Sequence, residues 1–203
     1  MKILLLFLAL YGLVSGSLAH CENTTTLVQE LEEMLNTDQS LRRNIQKMEV
    51  AYGSDSKQVE VLWEKQSVLD AANIARLKEI IAVHGWPRIS VVGEQAALAA
   101  FMVVQHAKTS NQKAFLPLLR KEAKRGEIKL KLLALLEDRV LTSDGKPQIY
   151  GSQLRRNSKT NQMEFFPIEA AESVNSRRAS VGLEPIEVYA RRFGFEYKSG
   201  KGG

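Results

Sequence analysis

The stretch GEQAALAAFMVVQHA, residues 93–107, carries the clearest structural signal in the chain, because its centre is apolar on every side. Nine consecutive residues from Ala96 to Val104 are alanine, leucine, phenylalanine, methionine or valine. A helix without a polar face lies in the middle of a domain, and its alanines let neighbouring helices approach closely. A strand is the competing interpretation, but the length and the alanines favour a helix.

Helical patterns flank this central stretch on both sides. Leu27, Leu31 and Leu35 recur at helical spacing, and Asp38 is placed to cap a second short helix. A long helix is expected from about Asp55 to His84, ending at the breaker Gly85-Trp86-Pro87. Further helices are expected over residues 111–125, 130–141, 169–181 and 185–193.

One β-hairpin interrupts the helices in the C-terminal third. Residues 148–154 and 163–166 are its expected arms, and the polar residues 155–162 form the loop between them. The sequence therefore predicts a mainly α, multi-helix single domain with a β-hairpin, covering residues 20–197. The glycine- and lysine-rich end, residues 198–203, is expected to be a disordered tail.

The N-terminus has the pattern of a signal peptide. Lys2 precedes an apolar run from Ile3 to Val14, and the small residues Ser17-Leu18-Ala19 follow. The run is too short to span a bilayer comfortably, so cleavage after Ala19 is favoured over anchoring. Residues 1–19 are therefore predicted to direct export, and the mature protein is expected to be secreted or to lie in the periplasm or cell envelope.

Cys21 is the only cysteine of the chain, so no internal disulfide bond can form. Leu18-Ala19-His20-Cys21 also resembles a bacterial lipoprotein processing site, although His20 stands where a small residue is usual. A lipid on Cys21 is therefore the alternative to free secretion. It is also the one route by which the protein is expected to contact a membrane.

Composition argues against several classes of function. The chain carries 28 Lys and Arg against 23 Asp and Glu, and its basic runs at residues 155–159, 177–178 and 191–201 are typical of solvated surface. Aromatic residues do not alternate with these basic residues, so nucleic-acid binding is not expected. The three histidines lack metal-ligand spacing and no phosphate-binding loop occurs, so neither a metal nor a cofactor is predicted.

Polar residues stand at positions where helices should face the core. In the long helix, Gln66 and Asn73 lie on the apolar stripe and Asp70 lies at its edge. Burying an amide without a hydrogen bond costs about 1 to 3 kcal/mol. These residues are therefore expected either to form a hydrogen-bonded network or to line a wet cavity.

A second set of polar residues converges from three other elements. They are Gln105 and His106 at the end of the central helix, Glu137, Asp138 and Arg139 in a later one, and Gln148, Tyr150 and Gln153 on the hairpin arm. One hypothesis is a pocket in which His106 is the general acid or base, Asp138 or Glu137 assists it and Arg139 holds an anion. The alternative is a buried polar network that locks the helices together.

The order of short motifs along the chain resembles a bacterial domain family of unknown function. The resemblance is carried by Gly85-Trp86-Pro87, Val104-Gln105-His106-Ala107, Leu136-Glu137-Asp138-Arg139-Val140, Gly145-Lys146-Pro147-Gln148, Tyr150-Gly151-Ser152-Gln153 and Pro167-Ile168-Glu169. It implies no activity. It adds Trp86 and Gln112 to Asp70, Asn73, Gln105, His106, Asp138, Arg139, Gln148, Tyr150 and Gln153 as positions that match the family's pattern.

Two positions depart from that pattern. Ala107 stands where the family has an acidic residue, which weakens any scheme that needs a carboxylate beside His106, and Ser152 replaces a threonine. The leading hypothesis is an exported domain whose polar pocket binds a small or carbohydrate-like ligand and which is also a candidate hydrolase, with His106 and Asp138 as catalytic residues. The rival hypothesis is a non-catalytic interaction or structural protein of the cell envelope.

Overall fold

The computed structural model describes the backbone of residues 11–197 and the side chains of residues 24–197. Residues 1–10 of the predicted signal peptide and the predicted tail, residues 198–203, lie outside the described residues. The chain divides into two compact units, Met1–Val103 and Val104–Gly203, each described by itself below. The prediction of a single domain over residues 20–197 stays a prediction.

Unit 1 is built on a helical hairpin. Helix α1, Tyr11–Tyr52, packs against helix α2, Lys57–His84, and the turn between them contains Gly53 at a φ of 84°. Both helices contribute fully buried aliphatic side chains, among them Leu31, Ile45 and Leu77. The predicted long helix is therefore confirmed as α2 within two residues of its expected start.

The expected second short helix, capped by Asp38, is wrong. Asp38 lies inside α1, which continues without a break, and the residue is only 4% exposed. Its carboxylate accepts a hydrogen bond from Nε of Arg42 one turn later, at 2.8 Å. The side chain is thus held by side-chain donors within the helical hairpin, and no helix begins at Asp38.

Helix α3, Ile89–His106, contains the apolar stretch, so the prediction of a helix there is confirmed. Gly93 interrupts its regular geometry with φ 79° and ψ 169°, a conformation that glycine adopts without a steric penalty. Among the described residues, α3 alone is long and apolar enough to cross a membrane. Half of that segment is buried inside the protein.

Unit 2 combines two helices with a hairpin and two short helices. Helix α4, Thr109–Lys124, packs against helix α5, Leu130–Ser143, and strands β1, Leu154–Arg156, and β2, Met163–Phe165, form an antiparallel ladder. A 3-10 turn, Ala171–Ser173, leads into the last two helices, α6, Val174–Ser180, and α7, Ile186–Arg192. The described residues thus confirm a mainly α fold with a hairpin in the C-terminal third.

The hairpin's first arm differs from the sequence prediction. The ladder pairs Leu154 with Phe165 and Arg156 with Met163, so the strand begins where the predicted arm was expected to end. Residues 148–153 instead form a loop, whose backbone N–H groups bind to the side chains of Asp138 and Gln148. Because these side chains accept the backbone N–H groups, those groups are not available for hydrogen bonds to a neighbouring strand.

Candidate functional site

The loop of residues 148–153, called here the 148–153 loop, is organised around the carboxylate of Asp138. Asp138 lies on α5 with no exposed surface. Its Oδ1 accepts N–H groups of Ile149 at 2.7 Å and Tyr150 at 3.0 Å, and its Oδ2 accepts that of Ser152 at 2.9 Å. Three backbone donors therefore hold the buried negative charge, and the charge in turn fixes the path of the loop.

Gln148 closes the same loop on itself. Its Oε1 accepts the backbone N–H of Gln153 at 2.8 Å, while its Nε2 donates to the carbonyls of Gln153 and Phe166 at 3.0 and 2.9 Å. Its own backbone pairs with the segment around Ile168 in an isolated parallel bridge. Every polar atom of this fully buried side chain is thus satisfied within unit 2.

Arg178 is a residue that the sequence interpretation missed, since it was assigned with Arg177 to solvated surface. The side chain is 1% exposed and donates to the carbonyls of Glu184 at 2.6 Å and Tyr150 at 2.7 Å. Its guanidinium also lies 5.0 Å above the ring of Tyr189, and burial lowers its pKa from the ordinary value. The signal that could have identified it is its spacing of four residues from the apolar Val174, which is also buried on α6.

Tyr150 stands at the exposed side of the loop and is half-buried. Burial raises the pKa of its phenol first, and the neighbouring carboxylates of Glu137 and Asp138 raise it further. Glu137 itself forms an ion pair with Nε of Arg120 at 2.7 Å. Tyr150 is therefore neutral at physiological pH, with a hydroxyl that both donates and accepts hydrogen bonds.

A second cluster lies where α3 ends and α4 begins; it consists of Gln105, His106, Gln112 and Arg139 and is called here the α3–α4 corner. The backbone carbonyl of Gln105 accepts Nε2 of Gln112 at 2.9 Å and Nη1 of Arg139 at 3.2 Å. Gln105 and Gln112 are 6% and 3% exposed, whereas His106 is half-buried. The Oε1 atoms of both glutamines are buried and have no hydrogen-bond donor among the described residues.

The predicted site residues of unit 1 belong to a charged network between α1 and α2. Nη2 of Arg42 donates to both carboxylate oxygens of Asp70, at 2.8 and 2.9 Å, and Nε2 of Gln66 donates to Asp38 and Asp70 at 2.8 Å. Asn73 is buried three residues beyond Asp70. Arg42 supplies a positive charge between the two carboxylates.

Within unit 2, hydrogen bonds join the predicted residues in two groups. Asp138, Gln148, Tyr150 and Gln153 meet at the 148–153 loop, where the first two use their polar atoms to hold the loop. Gln105, Gln112 and Arg139 meet at the α3–α4 corner. The catalytic roles of His106 and Asp138 stay predictions, and the three N–H groups on Asp138 favour a positioning role for it.

These features define a class of mainly helical proteins in which one buried carboxylate organises a loop ahead of a short hairpin. The chain belongs to a family of unknown function, DUF6624, whose model matches residues 25–199. That match confirms the resemblance seen in the sequence. No curated protein and no solved structure matches the chain.

Proposed function

We propose that the protein is exported and that unit 2 binds a small, neutral, carbohydrate-like ligand at the α3–α4 corner. The observation that carries the proposal is the pair of buried acceptors, Oε1 of Gln105 and Oε1 of Gln112, which lack donors among the described residues. A buried polar atom left without a partner costs about 1 to 3 kcal/mol. A ligand that brings hydroxyl donors to both atoms would recover that free energy.

The composition of the corner supports a neutral ligand that carries hydroxyl groups. Amide oxygens accept hydrogen bonds from hydroxyl groups without demanding a charge, and the two glutamines lie on adjacent helices, α3 and α4. Arg139 is already engaged with the backbone carbonyl of Gln105, so it orients that end of α3. A polyhydroxylated neutral molecule therefore fits better than an anion, in keeping with the amide-rich pockets that bind polar ligands.

Binding is better supported than hydrolysis. Both oxygens of Asp138 accept hydrogen bonds from backbone N–H groups of the 148–153 loop, so this carboxylate is already engaged in holding the loop. His106 adjoins Gln105 at the corner and is the remaining candidate for general acid-base chemistry. If His106→Ala abolished turnover of a bound glycoside while leaving its binding intact, a hydrolase would be established.

The test is ligand-induced stabilisation of the full chain. Thermal unfolding is measured with a panel of mono- and oligosaccharides for the wild type, Gln105→Met and Gln112→Met, because methionine keeps the length of glutamine without its acceptor. We expect at least one saccharide to raise the wild-type midpoint and to lose most of that effect in both variants. Gln95→Met is the matched control, since Gln95 is exposed on the same helix as Gln105.

Two results would contradict the proposal. One is a panel in which no saccharide shifts the midpoint of the wild type. The other is a saccharide whose effect survives unchanged in Gln105→Met and Gln112→Met, because the binding site would then lie elsewhere in the chain.

The second candidate function is a non-catalytic interaction protein of the cell envelope. It is favoured by the hydrogen bonds of Asp138, Gln148 and Arg178, which go to groups of unit 2 itself. Under this function the polar residues of the 148–153 loop serve stability, so their substitution lowers the unfolding free energy whatever ligand is present. A protein partner would then bind a different surface of the molecule.

A further inference from the structure

An open groove of about 810 Å³ lies beside strand β2 in unit 2, and aromatic side chains line much of it. Phe193 is 43% exposed, although phenylalanine is normally withdrawn from water. Phe165, Phe195 and Tyr197 are half-buried in the same lining. No residue of the α3–α4 corner is among the described residues that line the groove, so the two sites are separate.

Two rings of the groove stand at steep angles to a third. The ring of Tyr197 lies edge-on to that of Phe165, with 5.1 Å between the centroids and 88° between the planes. The ring of Phe195 meets Phe165 at 5.3 Å and 62°. The groove therefore presents ring faces in more than one direction, as the aromatic cages that bind quaternary ammonium groups do.

A cation of the chain itself already contacts one ring of the groove. The guanidinium of Arg155 lies 5.2 Å from the centroid of the Phe166 ring. An aromatic face is electronegative and attracts a cation within about 6 Å of its centroid. Among the described residues, no lysine or arginine lies over Phe193, Phe195 or Tyr197. The faces of these three rings are thus not occupied by a cation of the chain.

The described lining of the groove also carries one available charge of each sign. Nη1 of Arg156 donates to the carbonyl of Asn161 at 2.7 Å, and its other nitrogen atoms have no acceptor among the described residues. Glu196 is exposed and forms no hydrogen bond or ion pair with a described residue. Glu164 is already paired with Arg155 at 2.7 Å. A ligand with one positive and one anionic group would therefore match both Arg156 and Glu196.

The aromatic wall favours a quaternary ammonium as the positive group. A primary ammonium has three N–H donors, and each needs an acceptor when it leaves water. Phe193, Phe195 and Tyr197 offer ring faces and a single phenolic hydroxyl. A quaternary ammonium has no N–H group, and ring faces bind it through its positive charge. Burial raises the pKa of Tyr197, and the carboxylate of Glu187 raises it further, so a second negative group lies near this wall.

We propose that this groove binds a small, soluble zwitterion that joins a quaternary ammonium to an anionic group, as phosphocholine does. The ammonium contacts the aromatic wall beside Glu196, and the anionic group binds the available donors of Arg156. Phe193 is the one exposed large apolar side chain of the described lining, which is too little apolar surface to hold a bilayer. The ligand is therefore taken from solution, and its binding is independent of saccharide binding at the α3–α4 corner.

The probe is phosphocholine, titrated into the full chain by isothermal calorimetry, and we expect saturable binding. Neohexyl phosphate, which has carbon in place of the quaternary nitrogen, is expected to bind about tenfold more weakly because it lacks the positive charge. Phosphoethanolamine is expected to bind about tenfold more weakly as well, because its N–H groups lose water without gaining enough acceptors. Choline, which lacks the phosphate, is expected to bind about fivefold more weakly.

Three variants locate the two ends of the ligand. Phe193→Leu and Glu196→Gln are each expected to weaken phosphocholine and choline alike, by about fivefold, because both act on the ammonium. Arg156→Gln is expected to weaken phosphocholine by about fivefold and to leave choline unchanged, because only the phosphate contacts Arg156. The matched controls are Tyr52→Leu and Arg191→Gln, which change an exposed ring and an exposed guanidinium outside the groove. Far-ultraviolet spectra and thermal midpoints are expected to stay unchanged in all five.

Several results would overturn the inference. Phosphocholine that does not bind is one, and neohexyl phosphate or phosphoethanolamine that binds as tightly as phosphocholine is another. Equal affinity for wild type, Phe193→Leu, Glu196→Gln and Arg156→Gln would place the binding site elsewhere. Co-sedimentation with phosphatidylcholine vesicles would assign the groove to a membrane surface instead. A concentration-dependent dimer that Phe193→Leu abolishes would assign it to a second copy of the chain.

Discussion

Asp138 carries its carboxylate where water has no access, and backbone donors of unit 2 satisfy it. Such charge-assisted bonds are about twice as strong as neutral ones. They also specify geometry, because the two oxygens require the N–H groups of Ile149, Tyr150 and Ser152 to converge. The residue therefore determines the conformation of the loop on which Tyr150 stands.

We expect Asp138→Asn to lower the free energy of unfolding by about 3 kcal/mol. The amide nitrogen of asparagine cannot accept a hydrogen bond, so at least one buried backbone donor is left unsatisfied. Urea denaturation of the full chain measures the effect. Asp144→Asn is the control, since Asp144 is partly exposed at the end of α5 and pairs with Lys113. Equal stability of the wild type and Asp138→Asn would contradict the structural role of Asp138.

Gly151 is the other residue on which the loop depends. Its φ is +65°, and a Cβ atom there would lie 2.5 Å from Cδ1 of Ile186, which is fully buried on α7. Gly145 has a similar φ of +69°, but a Cβ atom there would have no neighbour within 4 Å. A comparison of substitutions at the two glycines therefore distinguishes the cost of backbone strain from the cost of a steric clash.

Gly151→Ala is accordingly expected to cost about 2 kcal/mol more than Gly145→Ala. Both substitutions carry the left-handed backbone penalty of about 1 to 2 kcal/mol, and only the first forces Ile186 to move. The difference in unfolding free energy between the two variants is the measurement. Equal losses would mean that Ile186 adjusts freely and that the loop is not packed tightly against α7.

At the scale of elements, a shared charge network joins α1 to α2. Arg42 lies on α1 and binds both Asp38, one turn earlier, and Asp70 on α2. Asp38 keeps 6% of its side-chain surface exposed and Asp70 keeps 20%, so the network is shielded from solvent without being sealed from it. Removing the cation would leave two carboxylates close together in a poorly solvated position.

Arg42→Met is expected to destabilise the chain by about 2 kcal/mol, less than for a fully buried pair because part of the network is solvated. The matched control is Lys57→Met, which removes a cation that is 74% exposed and pairs with Glu60. That control is expected to change stability by less than about 0.5 kcal/mol. Thermal and urea unfolding compare the two variants, and similar losses in both would remove any special role for the Arg42 network.

At the scale of the whole molecule, we predict that the protein is exported and that its signal peptide is removed. Expression of the full chain in a bacterial host is expected to yield exported protein that begins at His20, because Ala19 ends the small-residue segment. Intact mass spectrometry of the periplasmic and membrane fractions measures this. A lipid-modified mass that begins at Cys21 would establish the lipoprotein alternative, and an unprocessed cytoplasmic protein would contradict export.

One variant, Cys21→Ser, distinguishes free secretion from attachment of a lipid. Cys21→Ser leaves cleavage after Ala19 unchanged if the protein is freely secreted. It abolishes membrane association if Cys21 carries the lipid, since the thiol is the site of attachment. Because Cys21 is the only cysteine, the substitution disturbs no disulfide bond.

Helix type and position could be predicted from the sequence because periodicity, apolar runs and breakers act over a few residues. The apolar run of residues 96–104 belongs to helix α3, and the Gly85-Trp86-Pro87 breaker follows the end of α2. The second short helix at Asp38 was wrong, because a capping signal and a buried ion pair use the same residue type. The local sequence pattern alone does not distinguish an aspartate that caps a helix from one that forms a buried ion pair.

Tertiary contacts alone determined what the polar residues do. The sequence identified Asp138 and Gln148 as candidate site residues and assigned Arg178 to solvated surface. The atoms that these three side chains bind are 5 to 28 residues away along the chain. The hydrogen bonds therefore depend on how α5, the 148–153 loop and α6 come together. Local preferences act through neighbouring residues and so are visible in the sequence, whereas partners for buried polar groups arise only when distant segments exclude water together.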